Sequence, residues 1–537
     1  MKKLVSRFMA VLMAMTMILS MSMTAFAAEA SKGTLTVNNT VEGKTLDLYQ
    51  IFTATKNGEN VAYTLNSAYE GFFKNNTRIP ESESLTGEAL SEKAYEYVKT
   101  QVGEDGKNGT GFAKEILGWI LANADTVAAT HTTAPTTAGT TVINNLDYGY
   151  YVVYPLGATD TSAAPGEQDY TSVASLVSVT GDTSINMKSN YPTVVKKVND
   201  KTADDVNIGD TVTYTLTSKV PDMTGYTSYV FNFKDTLSAG LTFKEITSVT
   251  VGDTTITKVE AGQEANDTYT LTQAGQNITI TMNNFLASNA NKVGQEIKVT
   301  YTATLNKDAV TGFDPNTNKA TVEYSNKPGT DDKGESEPSK VDVHTFNFTI
   351  FKYYLKGETK TGLANAEFEL YKANTAGDAA DENAKINIVD EGNGVYRQAT
   401  ADEAKVTGFT SAKIVSDDDG KVLVKGLDAG SYYLRETKAP EGYNKLLSDI
   451  KVEIKATYGE DGKLVSYTVD YTYNGTTTPG IAITNKTDSP EVAVENKTGA
   501  QLPSTGSKGA LMVTLAGIVL FGALTASKAF GKKKAKN

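Results

Sequence analysis

The chain has 537 residues, a formal net charge of −12 at pH 7, two histidines and no cysteine. The absence of cysteine excludes thiol catalysis, thiolate metal sites and disulfide bonds. Two isolated histidines, His131 and His344, do not suffice for a histidine-based triad or a zinc cluster, so we expect no metal and no cofactor. The acidic balance argues against a nucleic-acid partner.

Residues 1–27 have the three parts of a secretory signal peptide. Lys2, Lys3 and Arg7 form a basic start, and an apolar stretch follows over residues 8–23. Ala25 and Ala27 then provide the small residues that signal peptidase needs at its cleavage site. We therefore expect the chain to be exported.

Residues 28–189 are predicted to form a first domain that combines strands with a helical insertion. Within residues 85–129, the runs ALSEKAYEYVKTQ and FAKEILGWILANA have the helical spacing of apolar side chains. A threonine-rich loop at residues 132–141 follows, and Pro192 marks the end of the domain.

Residues 190–343 and 344–489 are predicted to be two further domains of mainly β structure. Threonine, valine and tyrosine alternate in TVTYTLTS (211–218), IKVTYTATL (297–305) and LVSYTVDYTY (464–473). Clusters of Gly, Asn and Asp separate such runs, which is typical of antiparallel sandwiches. The acidic run SDDDGK (416–421) lacks the alternate ligand spacing of a calcium loop and predicts a hairpin turn instead.

Residues 490–537 contain a short motif, an apolar run and a basic end. Residues 509–527 carry no charge and are long enough to cross a bilayer, and five lysines follow from Lys528 onward. The apolar run alone would be an ordinary single-span anchor. That reading leaves the preceding LPSTG pentapeptide unexplained, which consists of Leu502, Pro503, Ser504, Thr505 and Gly506.

The tail as a whole resembles the cell-wall sorting signal of Gram-positive surface proteins. This resemblance implies that a membrane-bound sortase cleaves between Thr505 and Gly506 and transfers the threonine carboxyl to an amine. That amine would belong to peptidoglycan or to another subunit. Pro503 favours an extended Leu502, as a protease-like substrate strand requires.

The later domains resemble those of sortase-assembled major pilins. TFNFTIFKYYLKG (345–357), GLANAEFELYK (362–372), DDDGKVLVKGLDAGSYYLRETKAPEGYN (417–444) and GIAITNKT (480–487) are similar to a CnaB/SpaA-type domain. SYVFNFKDTLSAGLTF (228–243) and NKATVEYSN (318–326) are similar to the middle domain of a major pilin. The resemblance implies tandem immunoglobulin-like β-sandwiches.

The same resemblance implies that a Lys and an Asn on neighbouring strands join as an isopeptide, promoted by an acid. By match to the motifs, the implied sets are Lys196, Asn318 and Asp235 in the middle domain, and Lys352, Asn485 and Glu436 in the last. Because side chains two apart share a strand face, each residue can be checked against its apolar neighbours. All six positions fall in phase with apolar residues.

Isopeptide formation requires that the lysine and the acid are buried. Desolvation lowers the pKa of a lysine amine, so that it becomes a nucleophile, and keeps a carboxylic acid protonated. The acid can then polarise the asparagine carbonyl and shuttle protons while ammonia leaves. Apart from this self-linking reaction, we expect no enzyme activity.

Two departures from the family leave the assembly role open. The first domain lacks the lysine and the acid at the expected places, so we expect no isopeptide there. In addition, Thr193 stands where pilus shaft subunits carry the lysine of a Tyr-Pro-Lys linking motif. Lys188 and Lys197 are nearby alternatives, although each is equally well explained as an ordinary surface lysine.

Two functions therefore remain. The first is a wall-attached structural pilus subunit, whose partners are a sortase, a peptidoglycan precursor and other pilins. The second is a wall-anchored adhesin that binds a host or bacterial surface ligand.

Overall fold

The computed structural model describes residues 32–103, 109–158, 173–187, 191–223 and 225–498. The described chain is mostly β, as predicted, and its helices of more than five residues lie before Tyr191. It divides into two compact units. The first runs to Thr345 and includes Tyr458–Val465, whereas the second contains Phe346–Thr457 and continues from Ser466.

The part of the first unit before Tyr191 has two sheets. The three-stranded sheet consists of Gly139–Asp147, Lys32–Thr40 and Thr183–Asn186. The five-stranded sheet consists of Asn60–Leu65, Leu46–Asn57, Gly149–Pro155, Ser175–Val179 and the short strand His131–Thr132.

The helices of this part are Gly87–Val102 and Gly109–Ala122, with a short helix at Glu70–Phe73 and 3₁₀ turns at Ser67–Tyr69 and Ser82–Ser84. They confirm the helices predicted within residues 85–129. Leu90, Ala94 and Val98 recur at four-residue spacing, so one face of the first long helix is buried. That helix ends at Gly103, whose positive φ of 76° suits glycine.

The part of the first unit from Tyr191 to Thr345 is a β-sandwich with its own core, the middle sandwich. One sheet has eight strands, which are Ala203–Asp205, Ser339–His344, Asn316–Ser325, Phe231–Leu237, Asn277–Met282, Thr268–Ala274, Thr257–Lys258 and Lys333–Glu335. The other has five, which are Thr254–Thr255, Leu241–Val251, Glu296–Leu305, Thr211–Lys219 and Val195–Val198. A short helix occupies Phe285–Asn289.

Alternation along the strands builds this core. In Thr211–Lys219 the buried residues Val212, Tyr214 and Leu216 alternate with more exposed threonines. Burying each large apolar side chain contributes about 1.5–3 kcal/mol relative to leaving it in water. Any polar residue in phase with these side chains must therefore lie in the same dry interior.

The second unit is a further sandwich. Its six-stranded sheet contains Thr359–Gly362, Phe346–Lys356, Lys421–Leu427, Val395–Gln398, Ile388–Gly392 and Glu491–Glu495. The seven-stranded sheet contains Ala380–Lys385, Glu367–Ala373, Gly430–Lys438, Ile450–Tyr458, Leu464–Tyr473, Thr476–Thr478 and Ile414–Val415. A one-turn helix occupies Ala401–Ala404.

The structure corrects two sequence-based predictions in this unit. The domain does not end at residue 489, because Glu491–Glu495 pairs in parallel with Phe346–Lys356. Residues 416–421 form a turn as predicted, but not a hairpin, since the flanking strands Ile414–Val415 and Lys421–Leu427 belong to different sheets. The division of the first unit at residues 189 and 190 stays a prediction.

The targeting segments lie outside the described residues. This applies to the predicted signal peptide at residues 1–27, to Lys188, and to the sorting motif and apolar run beyond residue 498. Within the described ranges, no helix has the length and apolar character needed to cross a bilayer.

Candidate functional site

The first candidate site lies between the two sheets of the middle sandwich. Lys196 comes from Val195–Val198 at the edge of the five-stranded sheet. Asp235 and Asn318 come from adjacent antiparallel strands of the opposite sheet, where Asn318 pairs with Leu237, two residues beyond Asp235. All three side chains are buried, with at most 2% exposure. The structure thus brings the predicted middle-domain set together.

A residue that the sequence did not single out, Tyr301, joins the three. Its hydroxyl accepts hydrogen bonds from Lys196 Nζ and from Asn318 Nδ2, both at 2.7 Å. It donates to Asp235 Oδ2 at 2.9 Å. Lys196 Nζ also contacts the same carboxylate oxygen. The hydroxyl is therefore a common partner of the amine, the amide and the acid.

Burial shifts the ionisable groups of this cluster toward their neutral forms. It lowers the pKa of Lys196 to about 8, although the negative charge of Asp235 partly offsets the effect. Burial also raises the pKa of Asp235, against the opposing influence of Lys196. The neutral pair, an uncharged Lys196 amine beside a protonated Asp235, has the same number of protons as the ion pair. Moving one proton from the lysine to the aspartate therefore produces the reactive neutral pair.

Two acceptor atoms of this cluster stand without hydrogen bonds among the residues that the structure describes. They are Asn318 Oδ1 and Asp235 Oδ1. An unpaired buried acceptor costs about 1–3 kcal/mol. Joining Lys196 to Asn318 would replace a buried amine and a buried amide by one neutral amide and leave Asp235 in place.

The second candidate site lies in the second unit and contains Lys352, Glu436 and Asn496. Lys352 Nζ lies 3.0 Å from Glu436 Oε1 and contacts Asn496 Oδ1. Asn496 Nδ2 donates to Glu436 Oε1 at 3.1 Å, and the other carboxylate oxygen accepts from the backbone N–H of Leu446 at 2.7 Å. All three side chains have at most 2% exposure.

The prediction of Asn485 as the partner of Lys352 is wrong. Asn485 is exposed, and its Oδ1 accepts the backbone N–H groups of Thr487 and Asp488 in a tight turn. The alternation of Ile481, Ile483 and Asn485 does not mark a strand, since Ile481 is 81% exposed.

The same alternating pattern occurs a few residues later. Val492, Val494 and Asn496 alternate along the last described strand and beyond it, and all three are buried. Asn496 also begins the second of two Asn-Lys-Thr triplets, the first of which begins at Asn485. The residues before the two triplets alternate in the same way, so burial in the fold, and not the local pattern, separates Asn496 from Asn485.

The surroundings of Lys352 are apolar and closely packed. Burial lowers the pKa of its amine to about 8, with Glu436 opposing the shift. The Phe368 ring lies 5.7 Å from the amine. Gly420 has a φ of +75°, and a Cβ at this position would come within 2.1 Å of the Lys352 carbonyl oxygen. Only glycine therefore fits the turn that covers this lysine.

Two family matches cover part of each site, without Lys196 and Asn496. Residues 208–328, which include Asp235, Tyr301 and Asn318, match the family described as Gram-positive pilin backbone subunit 2, Cna-B-like domain. Residues 352–468, which include Lys352 and Glu436, match the SpaA prealbumin-like fold domain. The chain thus contains a domain similar to the Cna-B-like domain of Gram-positive pilin backbone subunits and a SpaA prealbumin-like domain.

A curated relative of this chain is the trypsin-resistant surface T6 protein of Streptococcus pyogenes serotype M6. It is 27% identical over 333 residues, which cover 54% of this chain and 51% of that protein. The chain thus spans about half the length of this relative.

Similar solved structures include two streptococcal backbone pilins. The T6 backbone pilin of S. pyogenes is 18% identical, with a TM-score of 0.44, and the match covers 88% of this chain and 94% of that one. The group B streptococcus pilus 2b backbone protein is 28% identical, with a TM-score of 0.39, and the match covers 57% and 99%. The domain assignment rests on the two family matches.

Two lysines in the described part of the chain lie near Tyr191. Lys197 is near it in sequence, and Lys44 is near it in space. Lys197 is exposed, on the opposite strand face from Lys196, as alternation predicted. Lys44 was not predicted, and its amine lies 4.9 Å from the centre of the Tyr191 ring. It donates to the Tyr324 hydroxyl and the Glu335 carbonyl, both at 3.0 Å. Burial lowers its pKa, with Glu337 opposing the shift.

Proposed function

We propose that this protein is a structural subunit of a sortase-assembled surface pilus, reinforced by internal Lys–Asn isopeptide bonds. The observation that supports the proposal most directly is the pair of buried Lys/Asn/acid clusters in the two pilin domains. The proposed bonds join Lys196 to Asn318 and Lys352 to Asn496.

The proposed bond formation follows from the contacts of each cluster. A neutral lysine amine attacks Cγ of the asparagine, the C–N bond to the amide nitrogen breaks, and ammonia leaves. Asp235 or Glu436 moves the protons between the two nitrogens. A neutral amide then replaces a buried amine and a buried amide, which lowers the cost of burying polar groups.

The proposed surface location rests on the sequence at the two ends. In this proposal the chain is exported through residues 1–27, held at the membrane by residues 509–527, and cleaved by a sortase after Thr505. The threonine carboxyl is then joined to another pilin or to peptidoglycan at the cell wall. The protein is itself a substrate in this step and not an enzyme.

A wall-anchored adhesin is the second candidate, because Thr193 occupies the place of the expected linking lysine. In that case the chain would be attached once, through Thr505, and would bind a host or bacterial surface ligand without forming a polymer.

An immunoblot of wall extracts distinguishes the two. A shaft subunit gives a ladder of polymers that survives denaturation and disappears when the pilin-specific sortase is deleted. Lys188→Ala or Lys197→Ala should collapse that ladder to monomer if the altered lysine is the acceptor. If both changes leave the ladder intact, Lys44→Ala is the next variant, because its amine lies beside Tyr191. A monomer alone, in cells that contain the sortase, contradicts the shaft proposal and supports the adhesin.

A further inference from the structure

The two clusters differ in how the acid reaches the asparagine. In the second unit, Glu436 accepts a hydrogen bond from the Asn496 amide directly. In the middle sandwich the acid is Asp235, whose side chain is one methylene shorter. The Asn318 amide nitrogen donates to the Tyr301 hydroxyl, which in turn donates to Asp235. Tyr301 thus spans the distance that the shorter acid leaves.

The position of Tyr301 is fixed by the strands around it. It lies on Glu296–Leu305 with Val299 and Ala303 on the same buried face. Its ring stacks on that of Tyr214, with centroids 5.1 Å apart and an interplanar angle of 25°. Tyr214 is its direct partner across the two strands. The Phe243 ring lies 5.8 Å away as well, so packing of the tyrosine ring holds the hydroxyl among the reacting groups.

We propose that Tyr301 is a catalytic residue of the middle-domain crosslink, in which its hydroxyl relays a proton from Asp235 to the leaving nitrogen of Asn318. This inference rests on the proposed Lys196–Asn318 bond. It adds a fourth residue to a reaction that the sequence assigned to three.

In the middle sandwich, the contacts assign each proton transfer to a particular pair of groups. Lys196 Nζ forms a bond to Asn318 Cγ and must lose a proton, and Asp235 Oδ2 contacts this nitrogen. Asn318 Nδ2 leaves as ammonia and must gain a proton, and its hydrogen-bond partner is the Tyr301 hydroxyl. Attack by the neutral amine makes Nδ2 basic, and the hydroxyl then turns from Asp235 toward it. Tyr301 gives its proton to Nδ2 and takes one from the protonated Asp235, and Asp235 then takes one from the lysine nitrogen. Both residues end the reaction as they began it.

The electrostatics keep the relay proton in place before the reaction. Burial and the negative charge of Asp235 raise the pKa of Tyr301 well above that of a tyrosine in water. The hydroxyl is therefore protonated at neutral pH and available as a donor.

The test uses the full chain, translated in vitro in detergent, so that linking can be timed after synthesis without signal peptidase or sortase. Peptide mass spectrometry follows ammonia loss separately at Lys196–Asn318 and at Lys352–Asn496. In Tyr301→Phe, the middle bond should form more slowly by roughly a hundredfold, the scale of general acid–base catalysis. The bond at Lys352–Asn496 should form at the wild-type rate. Tyr269→Phe, which removes a hydroxyl elsewhere in the same core, should link normally at both places.

A second substitution tests proton transfer apart from packing. Replacing Tyr301 with 3,5-difluorotyrosine keeps the ring and the hydroxyl but makes the hydroxyl more acidic, so the middle bond should form faster. A wild-type rate with both substitutions overturns the role of Tyr301. Absence of the middle bond from the wild-type chain would instead overturn the proposed crosslink itself.

Discussion

The two buried lysines determine what each sandwich core must accommodate. A fully buried ammonium is costly unless it is paired, and here each is paired with one carboxylate. Linking the amine to an asparagine would remove the charge from both partners. Mass spectrometry can measure the loss of ammonia, and the pH dependence of folding stability can show whether the lysine amine still titrates.

The identity of the second asparagine is the sharpest prediction for a single residue. The wild-type chain should be two ammonia molecules lighter than its sequence mass. Asn496→Ala should restore one of them, whereas Asn485→Ala should change neither, because Asn485 is exposed in a turn. Asn496→Ala should also destabilise the second unit by about 3–5 kcal/mol, the scale for losing a covalent loop closure. Retention of the bond in Asn496→Ala, or its loss in Asn485→Ala, would contradict the corrected assignment.

Glu436→Ala tests the acid in the same cluster. Without the carboxylate, nothing accepts the proton of Lys352 or polarises the Asn496 amide, so the bond should not form. Intact mass should show one ammonia restored, with the bond in the middle sandwich unaffected because the two sites lie in separate units. Asp235→Ala is the matched variant and should affect only the middle bond.

Removing Asn318 makes the titration of Lys196 visible. In Asn318→Ala the amine stays free and buried, with its pKa lowered to about 8 from an ordinary value of 10.5. Between these values the unfolded chain binds more protons than the folded chain, so folding stability should rise as pH increases from about 8 to 10. Thermal unfolding of the variant should show this gain. The wild-type chain, whose linked nitrogen no longer titrates, should show none at this site, and parallel pH profiles would contradict the bond.

At the scale of the strands, the resemblance to pilin motifs chose the six site residues, and alternation was the check on their burial. Lys196, Asp235, Asn318, Lys352 and Glu436 are buried where the apolar phase of their strands places them. The same rule failed at Asn485, because alternation shows a face only if the segment is a strand. Alternation could not single out Tyr301, since it predicts burial for a tyrosine in such a strand but does not distinguish a catalytic tyrosine from one that only packs in the core. Its role depends on a contact between sheets, which no local pattern contains.

The parallel pairing of the first and last strands of the second unit predicts a mechanical effect. Lys352 and Asn496 are 144 residues apart in sequence and in contact in the fold. With the bond in place, tension that enters at Phe346–Lys356 passes directly to the end of the unit. In single-molecule stretching, Asn496→Ala should therefore release about 50 nm of additional chain, at roughly 3.5 Å per residue. Asn485→Ala serves as the control, and equal extensions of the two variants would contradict the load path.

At the scale of the whole molecule, the proposed sorting depends on the peptide bond between Thr505 and Gly506. Thr505→Ala should shift the protein from the wall fraction to the membrane or medium, because a sortase cannot form its acyl intermediate with the altered motif. Ser504→Ala changes the variable position of the motif and should be sorted normally. Wall fractionation followed by immunoblotting measures both. Wild-type wall attachment of Thr505→Ala would contradict the sortase assignment.

One joint of the predicted domain layout coincides with the division between the two compact units. The joint expected near Val343 and His344 lies beside the division at Thr345 and Phe346. The end of the last domain was placed too early, at residue 489. The strand that follows it is recognisable only through its pairing with Phe346–Lys356. Such a pairing joins distant parts of the chain, so the local sequence of neither part predicts it.

That pairing also has a consequence for folding history. When the chain folds for the first time, it must bring together strands separated by 144 residues, at an entropic cost of about 4 kcal/mol for closing such a loop. Contacts so distant in sequence slow folding. If the proposed amide forms and ammonia diffuses away, the closure is permanent. Every later refolding then begins from a chain that already holds its topology, and should be faster than the first.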